Sequence, residues 1–314
     1  HLSIRRQRQM CIRDRSGGVR IAFIGCGGIA HAHWRGIQSH APQLVVTATV
    51  DTDPARAAAL ARQTGGRPFT SLEAALDGAE FEAVDIMLPH NVHEEAALLA
   101  FAAGKHVVLE KPMATTIDGC ERILAAARDA GTVFMIAEQS QYWPDVVRVQ
   151  HLIRDGVIGE IITARASSVE PPVSADGPTK PWRLDRAIAG GGICIDGGLH
   201  WIRPLRMWLG EVDEVVAALG HPHAEMEGES LAYAICRFRS GKLASYEALR
   251  AGAAQAPNED FRVTGSEGIL IIEGGPAGRT LLYDPHHPEG QDVLPAGETR
   301  RSAYGLELAE FAQA

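Results

Sequence analysis

The chain has 314 residues, 46% of them hydrophobic and 22% charged, and a formal net charge of −9. That length accommodates two domains with sizeable cores, and the acidic balance argues against non-specific binding to nucleic acid or to an anionic membrane. No apolar run reaches the roughly 18 residues that span a bilayer, and the scattered cysteines Cys11, Cys26, Cys120, Cys194 and Cys236, with no C-x-x-C, suit a reducing, cytoplasmic compartment.

Residues 1–18 carry Arg5, Arg6, Arg8, Arg13 and Arg15 without an apolar period. The Arg5-Arg6 pair resembles a twin-arginine export signal only faintly, because no hydrophobic stretch follows it. The segment reads as a disordered or foreign extension. From Val19 onward, strand and helix patterns alternate. Ile21 to Ile24 is a short apolar run rich in β-branched and aromatic residues, which suits a strand covered on both faces. Gly25-x-Gly27-x-x-Ala30 follows, at the predicted passage from that strand into a helix over about Gly28 to Ser39. This is the dinucleotide fingerprint in its G/A form. Gly25 permits the tight turn, Gly27 lets the backbone approach a pyrophosphate, and Ala30 allows close helix–strand packing. The N–H groups and dipole of the new helix then face the phosphates.

The β-branched run Leu44 to Val50 predicts a second strand, ending at Asp51. A carboxylate there accepts hydrogen bonds from the adenosine ribose and repels a 2′-phosphate, so NAD is favoured over NADP. Asp53-Pro54 starts the next helix as N-cap and N1. Further strands are predicted over Ala83–Leu88, Lys105–Leu109 and Val133–Ala137, with helices between them. The loops after the first two of these strands carry Pro89-His90-Asn91-Val92-His93 and Glu110-Lys111-Pro112. Residues at such carboxyl ends face the crevice of a doubly wound sheet. An ammonium at Lys111 could share a proton with a reacting oxygen, although a surface lysine is the plainer reading of that residue alone. His90 reads as a helix-start residue.

Beyond about Ser140 the texture changes. A helical stretch leads to a strand over Glu160–Ala166, then to a proline- and glycine-rich loop from Glu170 to Pro181. Gly190-Gly191-Gly192 opens a predicted helical stretch reaching Leu209. Consecutive β-rich segments follow, which argues an open, mostly antiparallel sheet. If the stretch is helical from the glycines on, Asp196 and His200 stand at i, i+4 on one face. A carboxylate beside an imidazole fixes its tautomer and raises its basicity, which suits removal of a hydroxyl proton. His221, His223, His286 and His287 lack ligand spacing, and no metal site is expected.

The ordered set Gly25-Cys26-Gly27-Gly28-Ile29-Ala30, Asp51-x-Asp53-Pro54, Glu110-Lys111-Pro112, Gly190-Gly191-Gly192-x-x-x-Asp196-x-Gly198-x-His200 and Gly265-Ser266-Glu267-Gly268 resembles the Gfo/Idh/MocA family of NAD(P)-dependent oxidoreductases. The resemblance runs from Val19 to Ala314. It implies an α/β protein: a Rossmann doubly wound parallel sheet over residues 19–139, then an α/β domain with a large open sheet over 140–314, read as lacking a final element. It implies a sugar, cyclitol or related polyol substrate and a homodimer or homotetramer built on that sheet. The family's catalytic set falls on Lys111, Asp196 and His200. Its cofactor contacts fall on Gly25, Gly27, Gly28, Ile29, Asp51, Pro89, Asn91, His93 and Glu110, with Trp182 and Arg183 near cofactor or substrate. Two features depart from the family's pattern. Arg203 stands where many members have an acid, and the segment Glu138 to Trp143 lacks the arginine commonly found there. The expected activity is hydride transfer between NAD and a secondary alcohol, in a cleft between the domains. An NAD-dependent redox-neutral glycosidase and a non-catalytic NAD-sensing protein are the alternatives.

Overall fold

The structure is a computed structural model and describes residues 18–173, 180–252, 258–275, 278–295 and 297–314. The proposed amino-terminal extension, save Gly18, lies outside these residues, as does the middle of the Glu170–Pro181 loop. The chain divides into two compact units: residues 1–137 with 304–314, and residues 138–303.

The first unit runs β1 (Val19–Ile24), α1 (Gly28–His40), β2 (Leu44–Val50), α2 (Pro54–Thr64), β3 (Arg67–Phe69), α3 (Leu72–Gly78), β4 (Ala83–Ile86), α4 (His93–Ala102), β5 (His106–Glu110), α5 (Ile117–Ala130) and β6 (Phe134–Ala137). Its six strands are all parallel, in the order β3-β2-β1-β4-β5-β6. This is the doubly wound Rossmann sheet that the alternation of elements predicts. β1 lies at the centre, and Ile21, Ala22, Phe23 and Ile24 are buried. That is why its sequence is a continuous apolar run rather than an alternating one. Ile37 and Leu60 belong to the core on one side of the sheet, and Ala97, Phe101 and Ile123 to the core on the other. β3 is too short to leave a clear sequence signature.

The second unit runs α6 (Pro144–Arg154), β7 (Ile161–Glu170), α7 (Arg186–Ala189), α8 (Leu199–Leu209), β8 (Val212–Gly220), β9 (Leu231–Phe238), β10 (Leu243–Arg250), β11 (Glu259–Gly265), β12 (Ile269–Glu273), β13 (Thr280–Asp284) and β14 (His287–Asp292). Its eight strands are ordered β14-β13-β12-β11-β7-β10-β9-β8, and only the β7–β10 pair is parallel. One face packs on α6 and α8 through Val146, Val149, Leu205 and Trp208 against Ala164, Phe238, Tyr246 and Phe261. The opposite face is uncovered: Val216, Tyr233 and Ile235 are each more than half exposed. β8 is exposed along nearly its whole length.

The division drawn from the sequence assigns the last residues to the second domain. The closing helix α9 (Ala303–Phe311) instead sends residues from Tyr304 onward into the first unit. Leu308 and Phe311 join the core that holds Val19, Ile21, Phe23 and Ile37. Amphipathic pattern alone does not say which of two cores a terminal helix will cover.

α9 also contributes to a buried ionic cluster. His33, on α1, has no solvent exposure. Its Nδ1 lies 2.7 Å from Asp85 Oδ2, and its Nε2 lies 3.2 Å from Glu110 Oε1 and 3.7 Å from Glu307 Oε1. Burial opposes a charge on this ring, but Asp85 and Glu110 outweigh that cost and hold the imidazole well above its usual value. Burial likewise raises the Asp85 carboxyl, with His33 partly offsetting it. The imidazolium is therefore the form that folds, and its stabilising contribution is lost as pH rises through the elevated folded value. Replacing His33 with Gln leaves buried carboxylates uncompensated. Urea unfolding at neutral pH should show a loss of about 3–5 kcal/mol, and the gap to the wild type should narrow as pH is raised.

Candidate active site

The first unit carries the residues expected to hold the cofactor. Gly25 has φ of 98°, and a Cβ there would overlap the carbonyl of Met87 in the loop after β4. No other residue type fits that turn. Gly27 and Gly28 are different: a Cβ at either would meet nothing within 4 Å. The space above this turn suits a pyrophosphate brought close to the backbone. Gly27 is the N-cap of α1, no side chain caps the helix, and no acid lies in its first turn. The leading N–H groups and the dipole of α1 are thus directed at whatever occupies that space.

Asp51 holds the turn from the side. Its Oδ2 accepts from Cys26 N at 3.0 Å and its Oδ1 from Asp53 N at 2.9 Å. Each oxygen keeps lone-pair capacity for a ribose hydroxyl. Asp51, Leu88, Pro89 and Val92 line a cavity of about 420 Å³ beside the carboxyl ends of β1, β2 and β4. Asn91 is exposed in the turn between Pro89 and Val92, and Ile29 is half-buried in the first turn of α1. These residues fit an adenine dinucleotide without a 2′-phosphate. Cys26 is a packed residue: burial, aided by Asp51, pushes its thiol up to about 12.

Two of the expected cofactor contacts have other duties. His93 is fully buried, and its ring bridges two carbonyls, with Nδ1 2.7 Å from Pro112 O and Nε2 2.8 Å from Leu88 O. It clips the loop after β4 to the turn after β5. Glu110 is turned inward: one oxygen meets His33, and the other accepts from Lys111 N at 3.1 Å. A sequence motif locates these side chains at the edge of the sheet but not which way they point. Lys111 is half-buried immediately after β5, at the cis Lys111–Pro112 peptide.

The second unit carries the candidate base, His200. His200 lies in the first turn of α8, with its side chain only 12% exposed. Its Nδ1 lies 2.7 Å from Glu138 Oε1, and its Nε2 lies 3.4 Å from Gln139 Nε2. Burial alone would raise the Glu138 carboxyl, but the His200 ring and the Ser140 hydrogen bonds outweigh it and hold the group below its usual value. Glu138 is therefore a carboxylate. It accepts a hydrogen bond from Nδ1–H and leaves Nε2 as the basic nitrogen.

The orienting carboxylate is thus Glu138, not Asp196 as the i, i+4 reading expects. The helix begins at Leu199, and the residues before it form successive turns. The glycines explain why. A Cβ on Gly192 would overlap the backbone of Glu229, and one on Gly198 would overlap the Tyr246 hydroxyl. The segment is pressed against neighbouring chain too tightly to coil as a helix. Asp196, buried in these turns, sits between two guanidinium groups, with Oδ2 3.3 Å from Arg183 Nε and 3.3 Å from Arg250 Nη1. Arg250 also pairs with Glu170. Arg183 stacks on the ring of Trp182, its carbon 4.3 Å from the ring centre. Asp196, Trp182 and Arg183 therefore form one cluster, and His200 with Glu138 another. Glu138 directly follows a strand, as Lys111 and Asp51 do, and that position was the signal for it.

Comparison with known proteins bears on the family and the fold. Residues 19–138 match the model of an oxidoreductase family with an NAD-binding Rossmann fold, and residues 146–271 match the GFO/IDH/MocA C-terminal domain. The chain is 31% identical to 1,5-anhydro-D-fructose reductase of Ensifer adhaerens, over 85% of this chain and 79% of that protein. It is 27% identical to levoglucosan dehydrogenase of Pseudarthrobacter phenanthrenivorans, over 88% and 83%. A solved levoglucosan dehydrogenase in complex with NADH and levoglucosan superposes with a TM-score of 0.78 at 25% identity, covering 95% of this chain and 89% of that one. The glycine turn under α1, the lysine after β5, the histidine on α8 and both matched domains together establish that this chain belongs to the Gfo/Idh/MocA family of oxidoreductases and carries its NAD-binding Rossmann fold.

Proposed function

We propose that the protein is an NAD-dependent dehydrogenase that oxidises a secondary alcohol of a sugar, cyclitol or related polyol, or runs the reverse reduction. The observation that carries this reading is the His200–Glu138 pair: an imidazole whose Nδ1 is engaged by a carboxylate and whose Nε2 is left basic. Gly25, Gly27, Gly28, Ile29, Asp51, Pro89 and Asn91 hold the cofactor, and bound NAD supplies the hydride acceptor. Nε2 of His200 takes the hydroxyl proton. The imidazolium so formed is stabilised by Glu138, which stays ionised throughout. Lys111 donates a hydrogen bond to the reacting oxygen and stabilises the charge that develops on it. Asp196 is a positioning residue that fixes Arg183 and Arg250, and Trp182 backs Arg183.

The reading extends to assembly and location. A homodimer or homotetramer would cover the apolar face bearing Val216, Tyr233 and Ile235, a surface that a lone chain leaves in water. Cys26, Cys120, Cys194 and Cys236 are free thiols, which suits the cytoplasm. No helix among the described residues is long and apolar enough to cross a membrane.

An NADH-absorbance screen over sugars, inositols and sugar acids should find turnover. In the substrate so identified, His200→Ala should lower kcat by about 10²–10⁴-fold while calorimetry shows NAD binding retained; unchanged turnover removes His200 from the role of base. Because His200 must be the free base to take the hydroxyl proton, kcat/KM should fall as the medium is acidified. Glu138→Gln, which removes the carboxylate that orients the ring and stabilises the imidazolium, should lower kcat at the pH optimum while NAD binding is retained. Sedimentation should show a dimer or tetramer, and Ile235→Lys should shift it toward monomer.

A further inference from the structure

Arg203 and Gln141 meet in the second unit, beside the His200–Glu138 pair in sequence. Arg203 Nη2 donates to Gln141 Oε1 at 2.7 Å. Arg203 stands three residues after His200 on α8, and Gln141 three residues after Glu138 in the turn over residues 139–142. The same helix and the same turn are therefore joined by two rungs. The first is the imidazole–carboxylate pair at 2.7 Å, and the second is a guanidinium on a neutral amide. Residues at i and i+3 lie on one helix face, so Arg203 and His200 share a side of α8.

The charge balance separates Arg203 from its neighbours. Arg183 is neutralised by Asp196, and Arg250 by Asp196 and Glu170. Both are occupied in holding the turn before α8. Arg203 is half-buried, and its partner among the described residues is an amide that cannot neutralise it. Gln141 uses one N–H and sets the plane of the guanidinium. The fork geometry that remains suits a planar carboxylate or a phosphoryl oxygen pair, and a half-buried cation gains most from a partner that brings a full negative charge.

We infer that Arg203 is a specificity-determining residue that binds an oxyanion on the substrate, a carboxylate or a phosphoryl group, so that the substrate is an acidic sugar or cyclitol derivative rather than a neutral polyol. This rests on the dehydrogenase reading above and narrows its substrate class. Gln141 is a positioning residue for the guanidinium.

The test compares matched substrates with the full-length enzyme and NAD. Glucose, glucuronate and glucose 6-phosphate form one set; galactose, galacturonate and galactose 6-phosphate form the other. In the wild type, kcat/KM should favour an anionic member of a set over its neutral parent. The uronate and phosphate arms identify which oxyanion is read. Arg203→Gln should reduce the anionic-to-neutral ratio by about 10–100-fold, the worth of a hydrogen bond to a charged group, mainly through KM for the anionic member. Arg203→Lys should restore part of the ratio, since it restores the charge without the fork. Preference for the neutral sugars in the wild type, or an Arg203→Gln variant whose ratio is unchanged, overturns the inference and leaves the dehydrogenase reading intact. No turnover on any member overturns the inference; the dehydrogenase reading falls with it only if the wider screen over sugars, inositols and sugar acids also finds no turnover by enzyme that binds NAD in calorimetry.

Discussion

The first unit depends on a charge placed where no water reaches. His33 sits among Asp85, Glu110 and Glu307, and these four residues come from α1, β4, β5 and α9. Uncompensated ions at such a site cost too much to bury, so the four elements are stable only together. The consequence reaches the site, because Glu110 meets this cluster through one oxygen and receives the backbone N–H of Lys111 on the other. Lys111 is thus anchored through its neighbour to the ionic centre of its own unit. His93 adds a second tie, joining the carbonyls of Leu88 and Pro112 on either side of the same crevice.

The second unit solves a related problem with glycine. The chain must pass between α7 and α8 in close contact with Glu229 and Tyr246, and only residues without a Cβ allow it. The tight passage places Asp196 between Arg183 and Arg250, starts α8 at Leu199, and turns His200 toward Glu138. The ion pair with His200 holds the Glu138 carboxyl below its usual value. The glycine run that marks the family in sequence is thus a packing device whose chemical effect is indirect.

Much of this was legible beforehand. Gly25, Gly27 and Asp51 announced a dinucleotide site because turn geometry and ribose recognition each admit very few residue types at those positions. The parallel sheet followed from alternating periods, and the open second sheet from uninterrupted strands. What misled was the assumption of regular helix between Gly192 and His200, which paired Asp196 with the wrong partner. His93 and Glu110 misled in a second way, since motif spacing locates a residue at a strand end without its side-chain direction.

By itself the sequence determined the alternation of strand and helix in the first unit, the run of strands in the second, the NAD-binding Rossmann fold, and the presence of a lysine and a histidine suited to alcohol chemistry. These are local properties, set by periodicity, by the steric demands of tight turns and by residue chemistry. Tertiary structure decided which carboxylate serves His200, that α9 completes the first core, that His93 and Glu110 face inward, and that Arg203 pairs with an amide. Each of these depends on contacts between residues distant in the chain, and such contacts exist only after burial and charge pairing have selected one packing among many that the local signals allow.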